Sequence, residues 1–306
     1  MPRQVRVFAP GSIGNLGPGL DILGLAVTGK GDIVTAERSA RTGVVIDDPG
    51  HASLPRDSSR HSSGIAAMAV LRSAGASFGL SLSLEKGLPL SGGQGGSAAS
   101  AVAGAVAANA LLDRPLPPMA LLEAALEAEA VVSGRHADNI APILLGGLVL
   151  IRSMDPLEVV QLTVPPALCL VLAHPDGAMR TRESRALLPD MVSREVALHQ
   201  AAQVAAIVAA AERGDIALLG RSIDDRIAEP ARAPALPGFP EAKAAALAAG
   251  ALGCSISGSG PTAFAIVSDQ ASGARVAAAM DEAYRTLGIS CTTRLARPDM
   301  KGTRLL

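Results

Sequence analysis

The chain is 306 residues long, enough for one large or two modest domains with a substantial buried core. Its formal net charge is -1 and aromatics make up only 2% of it, so the basic footprint and stacking platforms of a nucleic-acid binder are missing and none is expected as a partner. No apolar run approaches the ~20 residues that span a bilayer, MPRQVRVFAP lacks a signal-peptide core, and the scattered Cys169, Cys254 and Cys291 suit small buried hydrophobes in a reducing cytoplasm.

Arg3 to Ala9 alternates polar and apolar residues and is expected to be a strand. It leads into Ala9–Asp21, APGSIGNLGPGLD, a loop dense in Gly, Pro and Asn. Strands are expected at Asp32–Glu37 and Gly43–Asp47, then a polar, turn-rich stretch at Asp48–Ser59. His61–Ser73 has helical character and Leu80–Leu84 strand character. LPLSGGQGGS then opens an Ala-rich helix from about Ser97 to Leu112, which Pro115, Pro117 and Pro118 terminate. A second helix covers about Met119 to Val132, GRHADN is a loop, and Gly147–Arg152 is a strand. The second half begins with the strands LEVVQLTV and LCLVLAH. A long helix near Glu195–Arg213 follows, with shorter ones near Asp215–Ile227 and Glu241–Gly250. A loop, a strand at Thr262–Val267, a helix at Ala274–Leu287 and a strand at Ser290–Leu295 complete the chain. No internal repeat is present. The mixture argues for an α+β fold with a boundary near 155–165, taken as domains 1–160 and 161–306.

Six features bear on chemistry. The glycines of Ser91–Ser97, SGGQGGS, let the backbone approach a ligand, and the helix behind presents unpaired N–H groups and a positive dipole end. Together these make a phosphate site, and an ordinary flexible β–α connection fits equally well. The segment is neither a Walker A loop nor a dinucleotide fingerprint. Gly253–Thr262, GCSISGSGPT, has the same dual reading as anion cradle or turn. Asn15 and Asp21 are the polar side chains of an otherwise small, apolar loop, where Asn15 also suits a simple turn. Glu129 falls on the helical stripe of Leu122 and Leu126, which is costly for a carboxylate unless it is paired, metal-bound or at an edge that reaches water. His136, Asp138 and Asn139 form a compact polar cluster or an Asx-turn. Arg182, Arg185, Arg226 and Arg232 are carboxylate recognisers or solvated surface.

The order of these segments is more specific than any one of them. APGSIGNLGPGLD resembles the first motif of the GHMP kinases, LPLSGGQGGSAAS the second, and GCSISGSGPTAFAI the third. HADNIAPILLGGL, TRESRALLP and IAEPARAPALPGF resemble the homoserine kinases among them. The resemblance runs from Val5 to about Leu295. It implies the two-domain GHMP kinase fold, with an amino-terminal domain like ribosomal protein S5 domain 2 and a ferredoxin-like carboxy-terminal domain. It implies ATP bound by Pro89, Leu90, Ser91, Gly92, Gly93, Gln94, Gly95, Gly96 and Ser97, with Ser259 and Gly260 closing over the phosphates. Mg2+ would be held by Glu129 and Ser97.

L-Homoserine would be bound by Asn15, Asp21, His136, Asp138, Arg185, Arg232 and Gly258, its carboxylate on the two arginines and its ammonium on Asp21. Asn139, Glu129 and Arg185 would carry the transfer of the γ-phosphoryl group to the substrate hydroxyl. No dedicated base is expected, in keeping with no lysine being read near a motif, and a homodimer is implied. The chain departs from the resemblance where Gln94-Gly95-Gly96-Ser97 stands for L-G-S-S, where Gly92 replaces a common serine, and where Ile13, Gly14 and Leu20 replace the usual residues.

Overall fold

The computed structural model describes residues 3–177, 179 and 181–306. In chain order the strands are β1 (Gln4–Gly14), β2 (Leu23–Ser39), β3 (Val44–Asp48), β4 (Gly79–Glu85), β5 (Leu148–Met154), β6 (Leu157–Leu162), β7 (Cys169–Pro175), β8 (Gly253–Ile256), β9 (Ala263–Val267), β10 (Cys291–Ala296) and β11 (Arg304–Leu305). The helices are α1 (Ser62–Ser73), α2 (Gly96–Ala110), α3 (Pro118–Val132), α4 (Ile140–Leu145), α5 (Thr181–Ala186), α6 (Arg194–Arg213), α7 (Ile216–Arg221), α8 (Ala228–Arg232), α9 (Phe239–Ala248) and α10 (Gln270–Thr286). The α+β expectation stands.

The first sheet runs β11-β1-β2-β4-β3, with β5 and β6 branching from β2. The branch exists because β1 and β2 extend well beyond the residues whose alternation marked them as strands. Pairing is regular from Gln4↔Glu37 to Pro10↔Gly31, shifts, and resumes from Gly11↔Val27 to Gly14↔Gly24. The shift expels Thr28 to Lys30 from the ladder, and the first residues of β2, Leu23 to Leu25, pair with β5. The glycines there masked the strand in the sequence. Gly24 shows why: a Cβ at this position would stand 1.8 Å from the carbonyl oxygen of Asp138. Gly24→Ala is expected to cost at least about 3 kcal/mol, read by calorimetry as a drop of ~10 °C in thermal midpoint. An unchanged midpoint would mean the 138 backbone can yield.

α1, α2 and α3 pack on one face of this sheet through Ala-rich surfaces, with Ala66, Ala99, Ala103 and Ala125 fully buried. Small side chains permit close approach; a Cβ at Gly104 of α2 would stand 2.5 Å from the carbonyl oxygen of Ser63 in α1. The second sheet, β10-β7-β9-β8, is antiparallel throughout. Its side chains alternate between two apolar layers, as a strand buried on both faces requires. Leu170, Leu172, Phe264 and Ile266 meet Ile13, Leu23 and Leu25 of the first sheet. Val171, Ala265 and Val267 meet Phe239, Met280 and Tyr284 under α9 and α10. Cys169 and Cys254 are buried, free and part of this second layer, and Cys291 packs at its edge.

The sheets do not part cleanly at residue 160. β6 continues to Leu162, and β11 returns to pair with β1. α4, α5, α8 and β11 lie in segments to which the sequence pattern assigns no element, and β8 sits inside the segment read as the third glycine turn. Among the described residues no helix is long and apolar enough to cross a membrane.

Candidate active site

A cavity of about 600 Å³ is walled by α2, α3, α5, α8, the loop after β1 and the loops leading into α1, α2 and α4. It gathers Asn15, Asp21, Glu129, His136, Asp138, Asn139, Arg185, Arg232, Gly258 and Ser259, together with Pro89 to Gly93 and Gly95 to Ser97. Two expected nucleotide contacts lie outside its lining. Gln94 is buried with its side chain turned away, and Gly260 lies behind Gly93. Arg226 is also remote; it is half-exposed beside Asp224.

At one end the charges converge. Arg185 grips Asp21 with two parallel bonds, Nη1 to Oδ2 at 3.0 Å and Nη2 to Oδ1 at 2.6 Å. His136 Nδ1 is 3.4 Å from Arg185 Nη2, and since a guanidinium only donates, Nδ1 accepts and Nε2 carries the proton. Burial holds the His136 imidazole below its ordinary value, only partly offset by Asp21. Arg232 donates from Nη1 to the Gly258 carbonyl at 2.8 Å, and Asn15 Nδ2 reaches the same oxygen at 3.2 Å. Burial, then the neighbouring Arg185, lowers the Arg232 pKa from its ordinary value. Among the described residues, His136 Nε2, Arg185 Nε and Arg232 Nε are buried donors without a partner. Such unspent donors suit a bound anion.

These residues are held by local backbone. Asn15 and Asp21 adopt positive φ, and the Asn15 side chain closes the turn by accepting from Asp21 N–H at 3.1 Å. Asp138 Oδ2 accepts from Asn15 N–H at 3.2 Å, and burial followed by repulsion from Asp21 pushes its carboxyl up to about 7.

In the middle, Asn139 accepts from Ser12 Oγ at 2.8 Å. A Cβ on Gly95 would stand 2.2 Å from that hydroxyl, so the glycine loop closes directly on this pair. Glu129 is 6% exposed, and burial pushes its carboxyl up to about 7. The hydroxyls of Ser97 and Ser133, 3.2 Å apart, oppose that push. Glu129 Oε1 is buried with no partner among the described residues. Among the described residues no three His, Cys, Asp or Glu side chains cluster. A hard cation here would therefore have one carboxylate oxygen, hydroxyls and ligand phosphates, a set suited to Mg2+.

At the far end the helix α2 begins behind the glycine loop, where Ser91, Gly93 and Gly95 all have positive φ. Sequence reasoning missed Lys86 here, and the expectation of no lysine near a motif is overturned. Lys86 Nζ pairs with the fully buried Asp32, donates to the Gly96 carbonyl at 2.7 Å and lines the cavity. Asp32 also accepts from Ser100 Oγ and from Gly87 and Leu88 N–H. The signal was obscured because Asp32 lies far from Lys86 in the chain. Leu54 and Pro55 extend the cavity from the polar, turn-rich stretch Asp48–Ser59, and His61 and Ser62 extend it from the start of the helix expected over His61–Ser73.

A glycine loop at a helix start, a buried carboxylate and a cluster of arginines around Asp21 in one cavity fit a small-molecule kinase. The chain matches the family described as GHMP kinases N terminal domain over residues 62–147 and GHMP kinases C terminal over 207–286. It belongs to the GHMP kinases. It is 42% identical to a homoserine kinase of Chlorobium phaeobacteroides, with 93% of each chain covered. It is 44% identical to that of Arabidopsis thaliana, with 99% and 85% covered. A solved homoserine kinase from Cytophaga hutchinsonii superposes with a TM-score of 0.96 at 39% identity over 100% of this chain and 98% of that one. Within the GHMP kinases, the chain belongs to the homoserine kinase family.

Proposed function

We propose that this protein transfers the γ-phosphoryl group of ATP to the side-chain hydroxyl of L-homoserine, giving O-phospho-L-homoserine for threonine biosynthesis. The observation that supports it best is one cavity with an N–H-lined helix start at one end and Asp21, Arg185 and Arg232 at the other. Asp21 receives the substrate ammonium, and the arginines receive its carboxylate. The zwitterion thereby replaces the ligand-free Asp21–Arg185 pair without changing the net charge of the site. Asn139, fixed by Ser12, orients the hydroxyl beside the phosphoryl acceptor face, and the loop Pro89–Ser97 holds the phosphates in line. Leu54 and Pro55 cover the nucleoside end.

Glu129 and Ser97, with Ser133 beside them, would hold Mg2+, which neutralises charge on the transferring phosphates. No side chain is assigned as a strong base, because alignment and charge neutralisation supply most of such a barrier reduction. The division into domains 1–160 and 161–306, a cytoplasmic location and a homodimer complete the proposal; sedimentation at micromolar concentration tests the last.

A coupled assay of ADP release tests the substrate assignment. L-Homoserine is expected to react with kcat/KM at least ~1000-fold above that of 3-aminopropan-1-ol, which keeps the hydroxyl and ammonium and lacks the carboxylate. Equal turnover of the two would remove the arginines from substrate recognition. Thermal stabilisation by homoserine and ATP without ADP release would identify a non-catalytic binder instead.

A further inference from the structure

We infer that Gln94 is a positioning residue. Through Thr262 and Arg294, the carboxy-terminal sheet holds the glycine loop in the orientation that binds phosphate. This rests on reading that loop as the polyphosphate site.

The carbonyls of the loop are anchored on one side. Gly92 O accepts from Thr262 Oγ1 at 2.5 Å, Gly93 O from Ser257 Oγ at 2.6 Å, and Gln94 O from Ser12 N–H at 3.1 Å. The peptide bonds here are trans, so each carbonyl and the following N–H point in opposite directions. Fixing three carbonyls away from the cavity turns the N–H groups of Gly93 and Gly95, which line it, toward it, with that of Gln94 between them. Those three make no hydrogen bond to any other described residue. Successive N–H groups on a chain that alternates through positive φ form an anion nest.

Gln94 is the residue of this loop that joins the anchor to a second strand. Its Nε2 donates to Thr262 Oγ1 at 3.2 Å, and its Oε1 accepts from Arg294 Nη2 at 3.1 Å. Arg294 Nη1 in turn donates to the Thr28 carbonyl at 2.6 Å, within the segment expelled between β1 and β2. The Thr262 hydroxyl has one proton, committed to Gly92 O. It therefore accepts from Gln94 and from His174 Nδ1, 3.0 Å away, which fixes the neutral His174 tautomer with its proton on Nδ1. Among the described residues, none of the buried side-chain polar atoms left without a partner belongs to this cluster. A leucine, the residue at this place in the second-motif pattern, would have no donor for Thr262 and no acceptor for the half-buried Arg294. The departure at position 94 thus belongs with Thr262, His174 and Arg294 as one unit.

Calorimetric titration of the full chain with ATP and Mg2+, alongside steady-state kinetics, tests this. Gln94→Leu is expected to weaken ATP binding about tenfold while KM for L-homoserine stays within about twofold. Thr262→Val should act in the same direction, and Thr262→Ser, which keeps the hydroxyl, should bind ATP within about twofold of the native chain. The double variant Gln94→Leu/Arg294→Met removes both polar partners together. It should regain the thermal midpoint lost by Gln94→Leu and still bind ATP as weakly, which a packing role alone does not produce. If Gln94→Leu fails to fold, the double variant decides. ATP binding within twofold of native in whichever variant folds would overturn the inference. Absence of ATP binding by the native chain would instead overturn the nucleotide reading beneath it.

Discussion

Replacing Glu129 by Gln should lower kcat by about a thousandfold and at the same time make the ligand-free protein more stable. The first effect follows from losing the carboxylate proposed to hold Mg2+, a contribution of several kcal/mol to the barrier. The second follows from burial. The carboxyl is pushed up to about 7 from 4.5, and maintaining its charge above that pH costs roughly 3 kcal/mol that a neutral amide does not incur. At pH 8 the variant should melt about 5 °C higher. The sign of the pH dependence is set by the same shift. The folded state holds the proton more tightly than the unfolded state, so the stability it contributes below about 4.5 is lost as pH rises through about 7. Asp138, also raised to about 7, adds a parallel slope that persists in the variant. ATP affinity in the presence of Mg2+ should move oppositely, strengthening through the same window as Glu129 ionises. Full activity in the Glu129→Gln variant would remove this carboxylate from the metal site.

Arg232→Leu should raise KM for L-homoserine by about a hundredfold while leaving KM for ATP within about twofold. Arg232 is almost wholly buried, its Nη1 is spent on the Gly258 carbonyl, and its Nε is unspent, so the guanidinium is fixed before substrate arrives. Arg232→Lys should restore little, because an ammonium cannot hold Gly258 and a carboxylate with a planar fork. The measurement is the split between the two KM values in the ADP-release assay. Equal losses for both substrates would mean that the substitution distorts the third-motif loop and not the homoserine end alone.

The elements with strong periodicity were legible in the sequence. α1, α2, α3, α6 and α10 begin within a few residues of their expected starts, because apolar spacing and the prolines before α3 act locally. What escaped depends on distant partners. β2 begins at Leu23 since Gly24 and Leu25 pair with β1 and β5, a fact that no window around a glycine-rich turn contains. The short helices α5 and α8 carry Arg185 and Arg232 into the cavity yet have too few residues to show a period. Glu129 on its stripe was readable as an anomaly; its meaning came from the family resemblance, and its unpartnered oxygen from the fold. Lys86 and Asp32 illustrate the limit most plainly, as two unremarkable charges that become a buried pair beneath the glycine loop.

The strand β11 has a bearing on how the molecule is made. β1 is synthesised near the start, and its outer hydrogen-bonding row is capped by residues translated far downstream, Val7 against Leu305 and Phe8 against Arg304. Until they emerge from the ribosome, the growing chain presents an open sheet margin that other nascent copies can pair with. Truncations that stop short of Arg304 should therefore favour inclusion bodies even where every catalytic side chain is retained.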